Sequence, residues 1–88
     1  MHHPVSWYRT SERHYTADLG RAGSLMVWLD AASGTWSVFV LGTHRGGFNT
    51  AAAAQAAAIR MARVQFEEGL RRIGELEPAN NAAGDVRA

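Results

Sequence analysis

HYTADLGRAGSLMVWLDAASGTWSVFVLG, residues 14 to 42, carries two glycine-bearing breaks that divide it into three short runs. In the first, His14 to Leu19, Tyr15, Ala17 and Leu19 alternate with polar neighbours, which is the period of a half-buried strand. Gly20-Arg21-Ala22-Gly23 reads as a tight turn and Ala31-Ala32-Ser33-Gly34 as the next loop. Between and after them lie a second strand, Ser24 to Asp30, and a third, Thr35 to Gly42. Loops this short join antiparallel neighbours, so the stretch predicts a three-stranded antiparallel β-meander.

The loop lengths set a register with Leu19 opposite Ser24 and Asp30 opposite Thr35, and register decides which side chains share a face. One face then gathers Tyr15, Ala17, Leu19, Met26, Trp28, Phe39 and Leu41, and is read as the core. The other carries His14, Thr16 and Asp18 at one edge but Leu25, Val27, Leu29, Trp36, Val38 and Val40 elsewhere. Strands that are apolar on both faces are normally covered on both.

Downstream, His44-Arg45-Gly46-Gly47-Phe48 reads as a flexible basic loop leading into a helix. Asn49 or Thr50 can cap that helix, the alanine run after it has the highest helix propensity, and Pro78 ends it at or before Glu77. The helix is predicted over roughly residues 50 to 76, about 40 Å at ~1.5 Å per residue, and so overhangs strands that span only about 20–23 Å. Ala52, Ala56, Ile59, Ala62, Phe66, Leu70 and Ile73 fall along one line and are read as facing the sheet; Ala54, Ala57, Met61 and Val64 form a weaker strip opposite. Upstream, residues 1 to 13 read as an arm or edge strand with Val5, Trp7 and Tyr8 interspersed. Residues 78 to 88 read as a disordered tail. The expectation is therefore α+β, with strands β-β-β followed by one long C-terminal α-helix, and a single domain over residues 14 to 77.

Composition narrows the function classes. Eighty-eight residues, 47% hydrophobic and 19% charged, suit one globular domain with a thin core, for which dimerisation adds stability. The absence of cysteine removes disulfides, zinc thiolates and thiol catalysis, and fits a reducing, cytoplasmic setting. No apolar stretch is long enough for a membrane span, and Met1 to Thr10 lacks the pattern of a secretory leader. A net charge of +1 forces no polyanionic partner, and all nine cations are arginine, as GC-rich codon usage gives.

No catalytic constellation stands out. Gly46-Gly47 lacks the lysine and spacing of a phosphate loop, and no motif orients a serine, histidine and aspartate together. His14, Asp18 and His44 are the nearest approach to a metal triad, but the second strand lies between them. Glu67 and Glu68 point about 100° apart on a helix and read as solvated partners of Arg63, Arg71 and Arg72. Neither enzyme activity, cofactor nor metal is expected.

Three antiparallel strands, the loop Thr43-His44-Arg45-Gly46-Gly47-Phe48-Asn49 and the helix from Ala51 to Ala62 resemble the later part of a double-stranded-RNA-binding domain. That resemblance implies phosphate contacts at the helix start, where the family's lysines are replaced here by Thr50, Ala51 and Ala52. The helix entry from Gly47 to Ala58 is also similar in outline to the HicB antitoxins, without their Pro-Asp turn. Neither likeness assigns the chain to a family. Tyr15, Trp28 and Phe39 on one face could also form a stacking platform for single strands, although such trios are more often core.

The leading expectation is a non-enzymatic protein-interaction module that forms a homodimer or docks on a larger protein. Its surface would comprise Leu25, Val27, Leu29, Trp36, Val38, Val40, Met61 and Val64. The alternative is a nucleic-acid-binding module using His44, Arg45, Arg60 and Arg63.

Overall fold

Strands followed by a C-terminal helix is the order found, but with five strands in place of three. A computed structural model describes residues 6 to 78. Strands β1 (Trp7–Ser11), β2 (His14–Asp18), β3 (Ser24–Asp30), β4 (Thr35–Val40) and β5 (Thr43–Phe48) pair antiparallel in chain order, and α1 (Ala51–Glu75) follows. The N-terminal arm thus supplies an edge strand. Val5 and the tail from residue 79 onward lie outside the described residues.

The basic loop is itself a strand because the chain reverses earlier than its composition suggests. Val40 pairs with Thr43, so Leu41 and Gly42 form a two-residue hairpin turn with φ of 50° and 88°. Leucine is an unusual occupant of that left-handed position. Its side chain lies against Gly23, where a Cβ would sit 3.1 Å from Leu41 Cδ2. Farther along, Ser37 alone lies between Trp36 and Val38, while both Gly46 and Gly47 lie between their partners Phe48 and Arg45. The extra residue makes a β-bulge, with Gly47 at a φ of 87°.

The β2–β3 connection inverts the expected faces. Asp18, not Leu19, pairs with Ser24, so Leu19 joins the loop, which folds as a 3₁₀ turn over Gly20–Ala22. Asp18 Oδ1 accepts from the Gly20 N–H at 2.7 Å and the Leu19 N–H donates to the Gly23 carbonyl at 2.8 Å. A slip of one residue moves every β2 side chain to the other face. Tyr15 and Ala17 now stand beside Val27 and Leu25, and Trp7 pairs with Ala17 on the same face.

That face is the core. Ala17, Leu25, Val27, Val38 and Val40 are buried with Ala54, Ala58 and Ala62 of α1, and Trp7, Tyr15, Trp36, Phe48 and Met61 are partly buried around them. The face read as core, with Met26, Trp28 and Phe39, is instead the uncovered one. The helix is rotated so that its buried face, Ala54, Ala57, Ala58 and Ala62, lies between the two strips: Ala62 faces the sheet as read, whereas Ile59, Phe66, Leu70 and Ile73 are exposed, as is Val64 of the other strip. Alanine beneath valine permits close helix–sheet approach, and the buried helix residues Ala54, Ala57, Ala58 and Ala62 all lie in the first four turns, ahead of Phe66, Leu70 and Ile73. In those turns both candidate stripes are mostly alanine.

Thr50 caps the helix, its Oγ1 accepting from the Ala53 N–H at 3.0 Å. The helix packs on β3 and β4 and touches β5. Toward the middle of the helix Gln65 Nε2 donates to the Val40 carbonyl at 3.4 Å. Residues 66 to 75, about 15 Å of helix, project past the sheet. A Cβ at Gly74 would meet nothing within 4 Å. Gly74→Ala is therefore expected to stabilise the projecting end by about 0.5–1 kcal/mol, slowing amide exchange of the last turns roughly two- to fivefold.

Candidate functional site

The projecting half of α1 is amphipathic in a way its sheet-bound half is not. At about 100° per residue Ile59, Phe66, Leu70 and Ile73 fall within a ~60° stripe. Phe66, Leu70 and Ile73 are 38%, 69% and 64% exposed. Glu68, Arg71, Arg72 and Glu75 lie on another side and pair with one another. Arg72 Nε and Arg71 Nη2 donate to Glu68 Oε2 at 2.7 and 2.8 Å, and Arg71 Nη1 donates to Glu75 at 2.7 Å. Arg72 first, then Arg71, hold the Glu68 carboxyl below its usual range, with desolvation acting in the opposite direction. Such exposed pairs stiffen the helix only slightly. What they leave is an apolar side on which Leu70 and Ile73 are mostly exposed and Phe66 partly so.

At its base the stripe becomes one wall of a groove. Because α1 lies over β3 and β4, the core-side face of β1 and β2 beside it is only partly covered: Ala17 is buried, while Trp7 and Tyr15 are half-buried. Trp7, Ala17, Leu19 and Leu25 form the floor and Ile59, Ala62 and Phe66 the wall of a groove of about 260 Å³ without a charged lining residue. Groove and stripe form one apolar surface, concave over the sheet and convex beyond it.

The residues expected at an interface are placed differently. Leu25, Val27, Val38 and Val40 are buried, Leu29 and Trp36 are half-buried on the same face, and α1 of the same chain covers this face. Met61 is half-buried at its margin and Val64 is 63% exposed. Only Leu25 reaches the groove described above. The stripe residues Phe66, Leu70 and Ile73 carried the visible signal, but the helical period alone assigned them to the sheet.

On the other flank of α1, Arg45 and Arg60 line a second groove of about 550 Å³ with Thr43, Phe48, Ala57, Met61, Val64 and Gln65. Neither arginine enters an ion pair among the described residues. Arg63 is exposed on the outer side of the helix. His44 is on the opposite sheet face, stacked on Trp28 with centroids 5.6 Å apart and planes 24° apart. The four basic residues therefore do not form one surface. The stacking trio is divided too: Tyr15 tilts against Trp36 at 6.0 Å on the helix side, while Trp28 and Phe39 are on the uncovered side.

The uncovered sheet face combines Tyr8, Met26, Trp28 and Phe39 with Thr10, His14, Thr16, Asp18 and Ser37. Mixed faces of this kind are ordinary on the wet side of an antiparallel sheet. His14 is bonded to the Thr10 hydroxyl. No group of three or more His, Asp or Glu side chains gathers among the described residues, and no helix among them is long and apolar enough to cross a membrane.

No family model, curated protein or solved structure matches the chain. The likenesses to RNA-binding domains and HicB antitoxins rested on three strands before the helix, where the chain has five.

Proposed function

We propose that the chain is a small non-enzymatic protein-interaction module of a reducing, cytoplasmic compartment, acting through the overhanging half of α1 and engaging first a second copy of itself. The observation that carries this reading is the division of that half into a side of paired charges and a side of exposed Phe66, Leu70 and Ile73. A helix end surrounded by water gains nothing from such an arrangement, whereas a helix end seated on a partner buries the apolar side and keeps the charges wet.

The thin core gives the same direction. It is built from alanine and valine, with Val27, Val38 and Val40 its largest fully buried side chains, so intermolecular burial adds a substantial share of stability. When association and folding are linked, the melting temperature rises with protein concentration. A hundredfold increase in chain concentration is expected to raise the midpoint by several degrees; a constant midpoint is the result against self-association.

Nucleic-acid binding is the second reading, favoured by Arg45 and Arg60 flanking one groove with no ion pair to either among the described residues. A complex that dissolves as salt rises, and weakens with Arg45→Ala, would support it, because phosphate contacts release counterions.

A further inference from the structure

Resting on that self-association, we infer that two copies pair their overhanging helices antiparallel about a two-fold axis at Phe66, each seating its stripe in the other's groove. A two-fold interface must be self-complementary, so a residue before the axis meets its mirror position after it. The stripe has this symmetry. Ile59 and Ile73 stand seven residues either side of Phe66, and Ala62 and Leu70 stand four residues either side. Antiparallel pairing sets Ile73 beside the partner's Ile59 and bulky Leu70 beside the partner's small Ala62. A parallel pair would instead set Leu70 against Leu70 and leave both grooves empty.

The groove fits the same occupant. In the antiparallel arrangement residues 66 to 75 of one chain run back along the other chain's residues 66 to 57, above Trp7, Ala17 and Leu19. That floor carries no charge, and neither do Phe66, Leu70 and Ile73. Each sheet then receives its own α1 over β3 and β4 and the second copy's helix end over β1 and β2.

Charge fixes the register. Arg63 and Glu67 border the stripe on one flank and neither enters an ion pair among the described residues. In an antiparallel pair like flanks meet, and a two-fold at Phe66 brings Arg63 within about 3 Å, along the axis, of the second copy's Glu67. Two symmetric bridges result.

The chain has no cysteine, so single cysteines can carry nitroxide labels without interference. Dipolar spectroscopy on Val64→Cys, Arg60→Cys, Gly74→Cys and Ala53→Cys should give axial separations between copies of roughly 6, 18, 24 and 39 Å, growing by about 3 Å per residue from Phe66. Equal separations at all four sites would establish a parallel pair and overturn the arrangement while leaving self-association intact. Dipolar coupling absent at every site, with a monomeric wild type, would instead refute the self-association beneath it.

Charge reversal gives an independent readout. Arg63→Glu and Glu67→Arg are each expected to weaken the homodimer about tenfold, and a one-to-one mixture should restore it as a heterodimer. If mixing restores nothing, the inferred register is wrong.

Discussion

Val38→Asp is expected to abolish the cooperative fold. Val38 is fully buried with Val27 and the alanines of α1, and its cross-strand neighbour Arg45 is exposed at the β5 edge. An uncompensated buried carboxylate costs about 3–5 kcal/mol, and lost valine packing adds about 1–2 kcal/mol. A domain of this length has only about 4–13 kcal/mol in total at ~0.05–0.15 kcal/mol per residue. The thermal transition should therefore vanish or fall far below ambient temperature, and near-ultraviolet tryptophan dichroism should collapse. The sequence alone leads to a different expectation, a folded but monomeric or aggregating chain, because it places Val38 in a dimer interface rather than in the chain's own core. A folded Val38→Asp chain would mean that α1 does not cover this face.

The second large effect concerns association alone. Leu70 is 69% exposed and lies outside the core cluster, so Leu70→Asp should leave the fold intact. In the dimer the substitution occurs twice across the axis. At about 2 kcal/mol for each interface anchor, the loss is roughly 4 kcal/mol, or about a thousandfold in Kd. Phe66→Ala should behave similarly, costing less stability than a core phenylalanine because more than a third of its surface is already wet.

Much of the architecture is legible from residues 14 to 42. The hairpin Asp30–Thr35 pairs as its loop length requires, Thr50 caps the helix, and the helix overhangs the sheet. What the sequence conceals follows from two local facts. A five-residue connection beginning at Leu19, rather than a four-residue turn, shifts β2 by one residue and so exchanges its faces. Leu41-Gly42 forms a turn normally signalled by Asn-Gly, so β5 merges into its neighbour and Arg45 appears to lie in a loop.

The candidate surface was concealed by the same pattern that made it visible. Phe66, Leu70 and Ile73 are the largest apolar side chains in α1's second half, and a helical period assigns the largest stripe to the nearest sheet. Helix length opposes this: the buried helix residues end at Ala62, and orientation is settled there and upstream, where alanine leaves the two stripes almost equal. Likewise, the surplus apolar face of β3 and β4 needs no partner because α1 of the same chain covers it. The search for a partner therefore moves from the sheet to the helix end.

Sedimentation equilibrium of the wild-type chain and Leu70→Asp across micromolar concentrations tests self-association through the overhang most directly. The expected result is a dimer mass for the wild type and a monomer mass for Leu70→Asp, with identical circular dichroism. A monomer mass for the wild type throughout that range, or a dimer that Leu70→Asp leaves intact, would contradict it.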